Sequence, residues 1–142
     1  MIVSEIISEA EYADIIITLM KSPYKISSIT KLVFIAFCVK HESNLYAYHN
    51  RTKDFVDVFF SNISLKFSIH YQEIGQIIHT IDMLNKSSKV LIDGDYIELK
   101  YDFDFQTENK FLKFCITKIP NPIIQINKLD AKAVVEEVLR YV

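Results

Sequence analysis

The stretch LKFSIHYQEIGQIIHTIDMLNKSSKVLIDGDYIELKY, residues 65–101, decides how the chain is read. Over residues 65–85, Phe67, His70, Tyr71, Ile74, Ile77, Ile78, Ile81 and Leu84 recur at the three- and four-residue intervals that line one side of a helix. The spacing predicts one long helix. Asn85-Lys86-Ser87-Ser88-Lys89 closes it, with cations where the helix dipole favours them and an asparagine able to take a left-handed cap. Beyond Lys89 the period falls to two. Val90-Leu91-Ile92 and Tyr96-Ile97-Glu98-Leu99-Lys100-Tyr101 flank Asp93-Gly94-Asp95, and an Asp-Gly pair between strand-like runs signals a β-hairpin.

Upstream, residues 11–20 carry Tyr12, Ile15, Ile16, Leu19 and Met20 at helical spacing until Lys21-Ser22-Pro23-Tyr24 breaks the pattern. Ser27 or Ser28 can cap a second helix over residues 29–40, apolar nearly all round and so buried on most sides. Its β-branched content would also suit a strand, but its length and the serine cap favour helix. Residues 41–50 read as a polar, aromatic connection. A short helix is expected over residues 51–60, with Phe55, Val56, Phe59 and Phe60 on one side, and Asn62 or Ser64 could open the next.

Downstream, residues 102–109 alternate Phe103 and Phe105 with Asp102 and Asp104, either extending the second strand or forming a loop that faces a partner. Residues 109–118 are compatible with a helix that Pro120-Asn121-Pro122 breaks. A last helix is expected over residues 131–141, opened by Asp130 and presenting Val134, Val135, Val138 and Leu139 on one face. Nothing in the chain reads as an internal repeat, a low-complexity tract or a linker, so residues 1–142 are expected to form a single domain. The order of elements predicts an α+β, mostly α class: a winged-helix-like single domain with a C-terminal β-hairpin and closing helix.

Composition excludes several functions. With 142 residues, the chain is long enough to bury a core without metals or disulfides. It holds only 2 glycines, where average usage of roughly 7% would supply about ten. Gly75 and Gly94 alone can write neither a dinucleotide fingerprint nor a P-loop. Sixteen basic against 18 acidic residues, a formal net charge of −2, argue against wrapping nucleic acid by bulk electrostatics. Cys38 and Cys115 sit far apart among apolar neighbours and read as reduced core thiols. The opening Met1-Ile2-Val3-Ser4-Glu5 lacks the basic flank of a signal peptide, and the longest apolar run, residues 32–39, stops at Lys40, well short of a membrane span. A cytoplasmic protein with no membrane contact is expected.

Candidate chemistry is sparse. His70 and His79 lie nine residues apart on the predicted long helix, about 180° from each other at roughly 100° per residue, so they share no ligand sphere. His41 and His49 flank the loop that holds Tyr46 and Tyr48 and read as parts of a surface connection. Asp93, Asp95, Asp102 and Asp104 form acidic doublets around the hairpin, but no bidentate Glu closes a calcium loop there, and a turn with a solvated edge accounts for them. No serine stands in a nucleophile elbow. The reading is of a protein without catalytic residues, metal, cofactor or small-molecule substrate. The long helix offers Lys66, Lys86 and Lys89 but no arginine, with Glu73 and Asp82 between them, which suits direct DNA reading poorly. What remains is an aromatic surplus of 10 Phe and 8 Tyr. Tyr46, Tyr48, Phe103 and Phe105 fall outside core periodicity and are the candidate partner-interface residues.

The chain also resembles the small middle component of bacterial ABC three-component systems, the group that includes the Lamassu defence operons. The resemblance rests on the first helix at residues 11–20 and on the apolar helix that runs Leu32-Val33-Phe34-Ile35-Ala36-Phe37-Cys38-Val39-Lys40 into His41. It also rests on Arg51 before a helical segment, on the helix and hairpin of residues 74–99, and on the closing Val135-Glu136-Glu137-Val138-Leu139-Arg140-Tyr141-Val142. Where members of the group often carry Asn-Pro ahead of the first helix and Leu-Pro inside the apolar one, this chain has Glu11-Tyr12 and Ala36-Phe37. The resemblance implies a non-catalytic adaptor that sits against an SMC-like ABC ATPase and couples it to an effector, often a nuclease, in defence against phage or plasmid DNA. It also implies that DNA is met only through the complex. The alternative is a winged-helix transcription regulator that binds DNA as a dimer, and a third reading is an accessory subunit of an enzyme complex outside defence.

Overall fold

A computed structural model describes residues 3–49, 54–61, 63–118 and 120–140. It is 66% helical with one two-stranded antiparallel sheet and a closing helix, the α+β, mostly α class expected. Helix α1 (Val3–Met20) is followed by α2 (Ile29–His41), a 3-10 turn (Leu45–His49), α3 (Phe55–Phe60), α4 (Ile63–His70) and α5 (Glu73–Lys86). Then come β1 (Val90–Asp93), β2 (Tyr96–Leu99), α6 (Lys110–Thr117), α7 (Pro122–Ile126) and α8 (Ala131–Arg140).

Helix α2 is the axis of the fold. Leu32, Val33, Ile35, Ala36, Phe37, Cys38 and Val39 are all buried, which leaves almost no polar face, and the helix packs against α1, α5 and α8 while touching α4 and α6. A helix apolar all round is stable in water only when neighbours cover it, and the amphipathic α8 does so with Val134 and Val138. Both thiols, Cys38 and Cys115, are free and buried, and burial pushes each well above the usual thiol range, so neither supplies a thiolate at neutral pH.

The hairpin pairs Val90 with Leu99 and Asp93 with Tyr96 across Gly94, whose φ of 61° is a left-handed turn position that costs glycine nothing. Val90 and Ile97 point into the core. One further bridge joins Ser28 to Tyr96, so the chain between α1 and α2 adds a rudimentary third strand beside β2. In chain order α1, the bridge, α2, α5 and the hairpin follow one another, with α3 and α4 between α2 and α5.

Asp95 has a second task that a solvated turn does not foresee. Its carboxylate accepts from the Thr30 amide at 2.9 Å and the Thr30 hydroxyl at 2.7 Å, and also from the Ser28 hydroxyl, fastening the hairpin to the start of α2. Ser28 in turn caps α2 by accepting from the Lys31 amide at 3.2 Å. Slight desolvation works to raise the Asp95 pKa, but the hydrogen bonds from Ser28 and Thr30 prevail and hold it below the usual range. Asp95→Ala removes these hydrogen bonds and, because the carboxylate is exposed and screened by water, should cost no more than about 1 kcal/mol at neutral pH. Because the folded pKa is depressed, this contribution is present above about pH 4 and is lost as pH falls through the lower folded value. Melts of wild type and variant should differ at pH 7 and draw together as pH falls through the depressed folded pKa of Asp95.

Three expectations are corrected. The predicted helix over residues 65–85 is two helices: α4 ends at His70, Tyr71 and Gln72 form a turn, and α5 starts at Glu73. Ile77, Ile81 and Leu84 are buried as the periodicity requires, yet Tyr71, in the turn itself, is 62% exposed and Ile78, on the outward side of α5, is 54% exposed. No breaker residue marks this point, and packing against α1 and α2 overrides helix propensity. The Pro120-Asn121-Pro122 break is also a start, since Asn121 accepts from the amides of Ile123 and Ile124 and caps α7 with Pro122 in its first turn. Finally, α1 begins two turns earlier than its apolar spacing suggests, at Val3. Helix α3 opens at Asp54, and the Arg51 and Asn62 expectations lie outside the described residues. Residues 102–109 do not extend β2 and carry no regular structure.

Candidate functional site

The densest polar cluster among the described residues gathers where α1, α2, α4 and α5 meet. Its centre is Glu73, the first residue of α5. Oε1 of Glu73 accepts from the Tyr12 hydroxyl at 2.6 Å and from Lys40 Nζ at 3.1 Å, and His41 Nε2 lies 3.1 Å away. Its other oxygen, Oε2, faces His70 Nδ1 at 3.4 Å. Lys40 also donates to Ser8 Oγ at 2.6 Å and sits 4.5 Å above the Tyr12 ring, while Ser8 donates to Gln76 Oε1 at 2.6 Å. The imidazoles of His41 and His70 stack with centroids 4.6 Å apart and planes 16° off parallel. Phe37 closes the inner side against both His41 and Phe67.

Each position follows from its element. Lys40 and His41 end α2 and His70 ends α4, where the partial negative charge of the last carbonyls favours cationic or polarisable groups. Glu73 stands in the first turn of α5, where a carboxylate complements the dipole. The side chains of Lys40, His41 and Glu73 are only 14%, 12% and 13% exposed, so their mutual pairing is screened much less than a surface salt bridge. Desolvation works to raise the Glu73 pKa, but the donors Tyr12 and Lys40 outweigh it and hold the carboxyl below its usual range. Burial lowers the His41 pKa by more than Glu73 restores. Burial, reinforced by the Glu73 hydrogen bond, pushes the Tyr12 phenol far up. At neutral pH the cluster is thus a carboxylate held by an ammonium and a phenol, beside a neutral His41 imidazole. His41, His70 and Glu73 each aim one ligand-type atom at the others, all within 4.8 Å.

Testing His spacing along a single helix could not find this group. His70 does stand apart from His79, which bonds Glu9 at 2.7 Å, but its companion is His41 on another element. His41 is no loop-flank residue: it is the end of α2, turned inward. His49 is exposed, its ring edge against Phe114.

The four candidate interface residues separate. Tyr46 is 86% exposed on the 3-10 turn. Tyr48 is fully buried, and this corrects its assignment to a surface: its ring packs on Phe55, Phe111 and Phe114, and its hydroxyl donates to Glu42 at 2.8 Å. Alternation cannot reveal such a ring, because a 3-10 turn places residues inward by its own three-residue rhythm. Phe103 and Phe105 are half-buried. Phe103 lies edge-on to Tyr101 beneath Lys89, and Phe105 offers its carbonyl to Lys21 Nζ at 2.9 Å. Tyr46, Phe103 and Phe105 therefore keep surface to present.

A cleft of about 540 Å³ beside the cluster is lined by Glu11, Asp14, Lys40, Glu42, Glu108 and Lys110, among others. Its acids are partly committed to structure. Asp14 receives the Thr107 hydroxyl and the Glu108 amide, and Glu42 receives Tyr48 and the Asn44 amide, which fastens the loops before the 3-10 turn and α6. No helix among the described residues is long and apolar enough to cross a membrane. In comparisons with known proteins, no family model matches the chain, and neither a curated protein nor a solved structure does.

Proposed function

We propose that the protein is a non-catalytic adaptor of a bacterial anti-phage or anti-plasmid defence complex of the ABC three-component, Lamassu-like type. It bridges an SMC-like ABC ATPase and an effector, often a nuclease. It works in the cytoplasm, takes no small-molecule substrate, and meets DNA only through its partners. The observation that carries the reading is α1. Residues 3–11 are regular helix without one buried side chain, and Val3, Ile6 and Ile7 are 71%, 53% and 53% exposed. Aliphatic side chains repeated along a helix end beyond its own core mark surface that another protein covers. Leu65 and Ile69, one turn apart on α4, and Tyr46 add further apolar and aromatic surface.

Two features favour this reading over a DNA-binding regulator. The exposed residues of α5 are Gly75, Ile78, His79, Met83, Asn85 and Lys86, and Lys86, the one cation among them, is already paired with Asp82 at 2.9 Å. The hairpin exposes Asp93, Asp95 and Glu98, which phosphates repel. Against catalysis by the chain alone stand its sealed thiols and engaged cleft carboxylates.

The test is co-purification of the full chain with a coiled-coil ATPase encoded beside its gene, together with duplex-DNA binding by the isolated chain across a salt series. A stable complex and weak DNA binding are expected. Phe103→Ala with Phe105→Ala should weaken capture at least about tenfold while the melting temperature stays nearly constant. Steep salt-dependent DNA binding or catalytic turnover by the isolated chain would overturn the proposal, and a large drop in melting temperature would assign the two rings to the core.

A further inference from the structure

We infer that His41, His70 and Glu73 form a site for one divalent transition metal ion of zinc type, ligated through His41 Nε2, His70 Nδ1 and Glu73 Oε2. Two imidazoles and one carboxylate are a donor set that zinc takes in three-ligand centres, with a fourth position left open. The spacing suits it. Ligand atoms around a tetrahedral ion with bonds of about 2.0–2.1 Å stand about 3.3 Å apart. Here Glu73 Oε1 lies 3.1 Å from His41 Nε2 and Glu73 Oε2 lies 3.4 Å from His70 Nδ1, and one ligand-type atom from each of the three residues falls within 4.8 Å of the others. Small side-chain movements bring them onto one ion.

The surroundings supply what such a site needs beyond its ligands. Oε1 of Glu73 is already gripped by Tyr12 and Lys40, so Oε2, which faces His70, is the oxygen left for an ion, and His41 Nε2 would exchange its contact with Oε1 for the ion. Phe37 packs against His41 and against Phe67, restricting the first imidazole. Both histidines are the last residues of their helices, so the C-terminal carbonyl ends of α2 and α4 converge on the position of the cation. Lys40 opposes it, but that ammonium is shared with Ser8 and lies within 4.0 Å of Glu11. With one oxygen donor, the group is unsuited to calcium or magnesium, which require oxygen shells of six or more. The ion would tie the end of α2, the end of α4 and the start of α5 together, across the bend at Tyr71 and Gln72.

The experiment uses the full chain without an affinity tag, stripped with a chelator, and titrated with zinc chloride by calorimetry and with cobalt(II) by visible absorption. One equivalent of zinc should bind, cobalt should give the intense bands of a tetrahedral site, and zinc at about a hundredfold excess over its dissociation constant should raise the melting temperature by about 5–10 °C. His70→Ala leaves the Tyr12, Lys40 and Glu73 bonds intact, so it should fold normally and bind zinc at least about tenfold more weakly. Glu73→Gln should lose binding as well, while His79→Ala, at the separate Glu9 pair, should bind like wild type. Absence of saturable zinc uptake by wild type would overturn the inference. So would His70→Ala binding as wild type does, dependence on His79, or equal uptake of calcium. The result is read on the isolated chain and does not depend on partner capture.

Discussion

Tyr48→Ala should lower the free energy of unfolding by about 3–5 kcal/mol, while Tyr46→Ala, two residues away, should change it by less than about 0.5 kcal/mol. The contrast rests on geometry. The Tyr48 ring fills the space between Phe55, Phe111 and Phe114, tying the 3-10 turn to α3 and α6, whereas the Tyr46 ring is 86% exposed beside His49. Removing the buried ring leaves a cavity that helices on several sides cannot all collapse to fill. It also strands Glu42, whose carboxyl burial pushes upward despite the hydrogen bonds from Tyr48 and Asn44. Tyr48→Phe keeps the ring and should cost only about 1–2 kcal/mol. Urea titrations check the order: midpoints should fall from wild type through Tyr48→Phe to Tyr48→Ala with little change in slope. Equal midpoints for the two alanine variants would refute the core assignment.

Glu73→Ala should be the second most damaging of these changes, costing about 2–4 kcal/mol. The substitution removes the acceptor for Tyr12 and the counter-ion of Lys40, an ammonium whose side chain is only 14% exposed and whose other carboxylate, Glu11, lies at 4.0 Å. A half-buried charge without its partner is costlier than the loss of a surface pair. Removing the charge as well should recover part of the loss, so Lys40→Met combined with Glu73→Ala should be more stable than Glu73→Ala alone. A thermodynamic cycle over the four proteins measures the coupling, and a coupling energy near zero would show that the two charges act independently.

These outcomes also mark what the amino-acid order reveals. Where a local signal exists, the element stands as read: Ser28 caps α2, Asp130 opens α8 by accepting from the Ala133 amide, and Asp93-Gly94 turns the hairpin. The α4–α5 bend has no such signal. Its cause is tertiary, a first-turn carboxylate drawn to Tyr12 and Lys40 on two other helices. The Glu73 cluster was hidden for the same reason. His41 and Glu73 are separated by 32 residues, and no periodicity within one segment relates the end of one helix to the start of another. Capping asparagines can be missed when prolines flank them, as at Asn121, because the second proline is tolerated at a helix start.

The sealed thiols have a practical consequence. The chain has 2 cysteines, both interior, so one new cysteine placed at Tyr46 or Ile7 would be the single residue open to maleimide dyes, spin labels or photo-crosslinkers. The native background needs no serine replacements, and each outward position can be mapped separately by attaching a reporter there.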